Sequence, residues 1–251
     1  MKRLLCLLVA VCLGLNTQAQ SPHRSYLSKS ELPDVLRILP PPPAEGSAAF
    51  QYDEAQHQWG KSLRRTPRGE RAALEATTNV DTMALLFSGA FGRSLSREET
   101  PRTLELVARS IRTFRKSVQQ PKNFYLRKRP FVYYNEDTLF PAHEAHERNT
   151  GSYPSGHTVR AWGLALVLSQ LCPERQDTLM RAAYEWGQSR VIAGYHWQSD
   201  IEAAKTTAAA VFARLQTCPA YLEDVRKARE ELTGVEYRLF YVPLSINTLE
   251  R

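Results

Sequence analysis

Two histidines, each with neighbours that could orient it or supply charge, mark where this chain could do chemistry. Ser155-Gly156-His157 follows Gly151-Ser-Tyr-Pro154 and precedes a run of helical character. A helix start there would offer unpaired N–H groups to an anion. Glycine lets the backbone come close, the serine hydroxyl can donate, and the histidine could protonate a leaving alkoxide. Farther on, Ser189-Arg190 leads to His196 and, four residues later, to Asp200. Residues four apart on one helix share a face. A carboxylate that accepts from one imidazole nitrogen leaves the other free to attack. Upstream, Lys122 and Arg129 lie seven apart, with Pro130 directly after. Arginines suit bidentate contact with phosphoryl oxygens, and a lysine adds a compact charge.

Together these residues suit a site that holds a phosphoryl group and attacks it. His196 is the expected nucleophile, Asp200 its orienting partner and His157 the general acid and base. Lys122, Arg129, Ser155, Gly156 and Arg190 are the expected phosphate-binding residues. Taken singly, each has a plainer reading: a surface pair, a serine cap, a solvated cation. His143 and His146, with Glu144 and Glu147, look superficially like metal ligands, but their spacing is not that of a helical His-Glu-x-x-His motif. They are read as solvated or as part of a substrate rim. No metal site and no cofactor is expected.

The elements that would carry these residues are helical almost throughout. The pattern predicts helices over 53–64, 71–78 and 81–95, with Pro67 and Gly69 as breaks. Thr100 is placed to cap a helix from Pro101 that Pro121 would end. Residues 122–153 lack clean periodicity and read as a functional loop with short turns. Helices over 155–171, 174–192 and 196–216 follow, then one over 220–232 and a tail from Val235 to Arg251. Short connections make successive helices antiparallel. His157, Arg190 and His196 therefore meet at one pole, while Cys172 and Cys218, each just past a helix end, meet at the other. The expected architecture is an all-α, single-domain helical bundle with the active site at one end of the core helices.

Composition sets the surroundings. Lys2 and Arg3, the apolar run Leu4 to Leu15 and Thr17-Gln-Ala19 read as a signal peptide over 1–19, which predicts export to the periplasm. The apolar run is short for a membrane span. Residues 20–251 form the expected domain, opening through a Pro-rich stretch, 39–47, suited to polyproline II. Net charge is +7, falling to +5 without Lys2 and Arg3, which suits an anionic substrate. The basic residues are interspersed with acids, so nucleic acid is not an expected partner. Stable membrane insertion is not expected either, and a homo-oligomer is. Cys172 and Cys218 remain after cleavage, and a disulfide between them is expected in an oxidising compartment.

Lys122-x6-Arg129-Pro130, Pro154-Ser-Gly-His157 and Ser189-Arg190-x5-His196-x3-Asp200 resemble, in all three parts, the signature of the type 2 phosphatidic acid phosphatase and vanadium haloperoxidase superfamily. Gly151-Ser-Tyr-Pro-Ser-Gly-His-Thr158, the Leu39–Ser47 stretch and Phe50-x2-Asp53 are similar to its bacterial class A non-specific acid phosphatases. The resemblance implies a metal-independent transfer of the phosphoryl group of small phosphomonoesters through a phosphohistidine on His196, to water and to alcohols. A vanadium-dependent haloperoxidase is the competing expectation, weakened by the signal peptide and the class A motif. An exported binding module without turnover is a further alternative.

Overall fold

The computed structural model describes residues 24–234. The expected signal peptide and the tail from Val235 lie outside the described residues. In chain order the α-helices are α1 (Val35–Ile38), α2 (Ala48–Ser62), α3 (Pro67–Leu74), α4 (Val80–Phe91), α5 (Pro101–Ser117) and α6 (Gln119–Tyr125). They continue with α7 (Pro130–Tyr133), α8 (Glu144–Glu147), α9 (Gly156–Leu171), α10 (Gln176–Ile192), α11 (Gln198–Leu215) and α12 (Pro219–Thr233). The described residues contain no strand. None of their helices is long and apolar enough to cross a membrane.

Helix α9 is the axis of the bundle, packed by α5, α10, α11 and α12. The sequence suggests one apolar face, but α9 is buried nearly all round because it feeds two cores. Ala161, Leu164, Ala165 and Leu168 join Phe87, Phe91, Leu104 and Trp186 in one. Val159 and Val167 join Leu106, Phe114, Val211 and Tyr221 in the other. A helix apolar on every side is what a central position requires. The α9–α10 and α10–α11 connections are short, so the start of α9, the end of α10 and the start of α11 share one pole, as the spacing predicts.

Several helix starts differ from the sequence reading, each for a capping reason. Ser47 accepts from the Phe50 N–H, so α2 begins at Ala48 rather than Asp53. Thr66 caps α3 and Pro67 occupies its first turn, where a missing N–H costs nothing. Pro121 likewise lies in the first turn of α6, so it does not end a helix; Lys122 rides on a helix rather than a loop. The Asn79 side chain caps α4, which begins at Val80 rather than Asp81. Thr100 makes no side-chain cap to α5; the Glu231 carboxylate on α12 takes the Arg102 and Thr103 N–H groups at 2.8 and 2.9 Å instead. An anion at a helix N-terminus is favourable, and here it also ties α12 to α5.

The expected disulfide is not formed: Cys172 and Cys218 are free. The two helix ends do lie together, since the Gln170 and Gln216 side chains meet at 2.9 Å. The chain leaves them in different directions. Cys172 packs with the α4/α10 core and donates to Glu174 at 2.9 Å. Cys218 packs with the α11/α12 core, its thiol 3.8 Å from the Tyr26 carbonyl. Burial and the Glu174 carboxylate push the Cys172 thiol up to about 11, which keeps it a protonated donor.

The tightest seam against the axis is at Gly163, where an added Cβ would sit 2.5 Å from ring carbons of Phe114. Phe114 is fully buried and has nowhere to swing. Gly163→Ala gains up to about 1 kcal/mol of helix propensity, but overpacking costs about 1–3 kcal/mol. The expected outcome in denaturant unfolding is a net loss of stability; a more stable variant would show that α5 and α9 can part.

Candidate active site

At the shared pole, Ser155 caps α9 with its side chain accepting from the Thr158 N–H at 3.3 Å. The Thr158 hydroxyl also donates to Ser155 Oγ, at 3.0 Å, which leaves the Ser155 hydroxyl proton free to donate. The N–H groups of Gly156 and His157 take no partner among the described residues. Such a helix start is suited to an anion. His157 sits in this first turn, with Nε2 3.1 Å from the Ala76 carbonyl in the α3–α4 connection. A carbonyl only accepts, so Nε2 carries the proton and Nδ1 is the free nitrogen.

His196 was expected on the third helix, but α11 begins at Gln198 and His196 stands just before its cap, Trp197. The pairing with Asp200 survives the change. Asp200 is the third residue of α11; its Oδ2 accepts from the Trp197 N–H at 2.9 Å and lies 3.2 Å from His196 Nδ1. Arg129 Nη1 is 3.2 Å from His196 Nε2. A guanidinium can only donate and a carboxylate accepts, so both contacts assign the proton to Nδ1 and a lone pair to Nε2. Burial, then Arg129, Lys122 and Arg190, hold His196 well below the ordinary histidine range. Burial, then Arg190, Arg160 and His196 itself, do the same to His157.

Three expected cations converge on these rings. Arg129 is 3% exposed and donates to the carbonyls of Tyr195 and Glu147, each at 3.1 Å, as well as to the Glu147 carboxylate. Lys122 Nζ donates to the Gly151 carbonyl at 2.7 Å; burial and Arg129 bring its ammonium down to about 7. Arg190 is 2% exposed and lies over the Tyr195 ring at 4.9 Å, yet its Nε and Nη1 have no hydrogen-bond partner. Burial and Arg129 bring it down to about 10. Unpartnered N–H groups on a buried cation are rare, and here they belong to a residue whose charge registers at both histidines.

Several residues of the site were not singled out in the sequence. Arg127 joins Asp200 Oδ1 and Asp53 Oδ2, both at 2.7 Å, and Asp53 also takes the Ser199 N–H at 2.8 Å. In the sequence Asp53 stands out only through Phe50-x2-Asp53. Arg160 donates to the Gly156 carbonyl at 2.9 Å one turn along α9. Glu75 accepts from the Ser189 hydroxyl and, at 2.7 Å, from Arg71, next to the carbonyl that holds His157. Their only available signal was charge near a motif, which does not separate them from solvated neighbours. The rim reading fits His143 and His146, which are exposed, but not Glu147, which reaches in to Arg129. Among the described residues no group of three or more His, Cys, Asp or Glu side chains could hold a metal ion.

The arrangement offers an uncharged imidazole nitrogen, a second imidazole within its electrostatic reach, buried cations, and N–H donors without partners. Known proteins with similar sequences carry names that match such a pocket. The PAP2 superfamily pattern matches residues 109–223, a span that includes every one of the expected site residues. A non-specific acid phosphatase of Providencia stuartii is 40% identical over 222 residues, covering 88% of this chain and 90% of its own. One of Salmonella typhi is 43% identical over 195 residues, covering 77% and 78%. An acid phosphatase of Zymomonas mobilis is 31% identical over 221 residues, covering 86% and 81%. Likeness of that extent, running through both histidine motifs, makes the chain a member of the non-specific acid phosphatases of the PAP2 superfamily.

Proposed function

We propose that the protein hydrolyses phosphomonoesters through a phosphohistidine on His196 Nε2. The observation that carries this reading is Arg190, a buried guanidinium with two nitrogens unpartnered and its charge felt at both histidines. The Nε2 lone pair attacks phosphorus and the P–O bond to the leaving group breaks. The leaving oxygen takes a proton from His157 Nδ1, while Nε2 of that ring stays on the Ala76 carbonyl. Water then attacks the phosphohistidine, giving a proton back to His157 as the N–P bond breaks. Asp200 keeps the His196 proton on Nδ1 throughout. Arg190, Arg129, Lys122, the Ser155 hydroxyl and the Gly156 and His157 N–H groups hold the equatorial oxygens, where preorganised donors act most strongly. An alcohol in place of water gives phosphotransfer by the same second step.

The charge states support this division of labour. His196 stays unprotonated in mildly acidic solution because its pKa is depressed. His157 is depressed by burial and then by Arg190 and Arg160; a phosphoryl anion on Arg190 offsets the charge part, which favours on its ring the proton a general acid needs. Export to the periplasm belongs to the same reading, supported by Lys2 and Arg3 ahead of the apolar run.

His196→Ala is expected to abolish turnover, and acid-quench trapping to find a labile phosphoenzyme in the wild type alone; full activity in the variant would overturn the mechanism. His157→Ala is expected to depend on the leaving group. Release of an alkyl or sugar alcohol slows by about 10²–10⁴-fold, and that of p-nitrophenolate by much less; equal losses would exclude a general-acid role. The pH profile has its own signature. Burial brings the Lys122 ammonium down to about 7, so kcat/KM is expected to fall as pH rises through that value. Lys122→Arg keeps the charge and should move this alkaline limb upward; a limb left in place would assign it to another group.

A further inference from the structure

Glu147 closes α8, a four-residue helix whose following residues, 148–150, are exposed. Its carboxylate takes a hydrogen bond from Arg129 Nη2, and the Thr150 hydroxyl donates to the same oxygen at 3.0 Å. The charges of Lys122 on α6, Arg160 on α9 and Arg190 on α10 all register with it. His196 and Tyr195, before α11, complete the surroundings through their own contacts with Arg129. This carboxylate therefore acts on Arg129, Lys122 and Arg190, the three cations to which the proposed mechanism gives the phosphoryl oxygens, as well as on Arg160. An N–H that donates to a carboxylate cannot donate the same bond to phosphate. The two partners are also unequally committed: the Arg129 side chain is 3% exposed, that of Glu147 26%. Glu147 has a path into water, whereas Arg129 cannot follow and keeps its bonds to the Tyr195 and Glu147 carbonyls.

We infer that Glu147 is an internal competitor of the phosphoryl group for Arg129, and that its charge sets how tightly the site takes an anion. The inference rests on the phosphoryl-pocket reading above. Burial opposes ionisation of Glu147, but Arg129, Thr150, Lys122 and Arg190 outweigh it and hold the carboxyl below its ordinary value of 4.5. The competitor is therefore charged from mildly acidic to neutral pH, and protonation below that range removes it.

The test is competitive inhibition by inorganic phosphate in the wild type, Glu147→Gln, Glu147→Ala and Glu147→Asp. At about pH 6 the Gln and Ala variants should bind phosphate about tenfold more tightly, the scale of one charge-assisted hydrogen bond gained. Asp, which keeps the charge, should stay near the wild type. The wild-type to Gln ratio should shrink towards one as pH falls through the Glu147 pKa; because Glu147 supports the Lys122 ammonium, the comparison is confined to pH well below about 7, where Lys122 keeps its proton. If Glu147 merely braces Arg129, Gln and Ala will weaken phosphate binding at every pH, and the inference is overturned. An unchanged inhibition constant overturns it as well. If phosphate fails to compete even in the wild type, the pocket reading itself falls and takes this inference with it.

Discussion

A carboxylate shut away from water has to find a donor for each oxygen, and Asp200 is fully buried. Arg127 serves Oδ1, while the Trp197 N–H and His196 serve Oδ2. The Asp200 backbone carbonyl takes the Ser155 N–H at 3.0 Å, so the same residue fixes the start of α9. Arg127 in turn is bound to Asp53 on α2. One buried group thus joins α2, the stretch before α7, the start of α9 and the start of α11. Removing one partner from such a buried pair typically costs about 3–5 kcal/mol, since the other charge is left unmatched. The relative placement of the two histidine motifs follows from satisfying this carboxylate.

The second constraint opposes the first. Lys122, Arg129, Arg160 and Arg190 are cations drawn out of water towards one another, and burial lowers the pKa of each. Backbone carbonyls of Gly151, Tyr195 and Gly156, the Tyr195 ring and Glu147 offset part of this cost. Arg190 remains incompletely satisfied. In the proposed mechanism an anion fills these unused N–H groups, and donors already fixed in place need no reorganisation during reaction. Local rules of polar satisfaction are broken here and kept around it, which is the pattern of a site built at the expense of stability.

What the sequence made legible was the property that depends on period and connection length. Alternation of α9, α10 and α11 puts His157, Arg190 and His196 at one pole whatever the details of packing. Features that depend on direction rather than position were not legible. Cys172 and Cys218 end neighbouring helices, but nothing in their spacing says that the chain turns towards different cores. Arg127 lies in an aperiodic run of basic residues, and Glu147 in a short helix with no apolar stripe, so neither has a pattern to separate it from solvated charge. Helix starts were misplaced where a cap lies upstream of the first apolar residue, as at Ser47 and Thr66.

The spacing between Arg190 and His196 has a structural cause that periodicity alone does not supply. Helix α10 ends at Ile192, and the corner before α11 folds back on the last turn, where the Tyr195 and His196 N–H groups both point to the Arg190 carbonyl, at 3.1 and 3.3 Å. Gly194, at φ +85°, makes the left-handed step that this reversal needs. Its position also admits Arg64, whose Nη2 would be 2.3 Å from an added Cβ and whose Nε donates to the Ile192 carbonyl at 2.8 Å. The corner is therefore closed from within by Arg190 and braced from outside by Arg64, just past the end of α2. The five intervening residues bring the Arg190 guanidinium within electrostatic reach of the His196 imidazole. His196 is freed from the helix yet aimed by it, because the Asp200 carboxylate reaches back over the α11 cap to the ring.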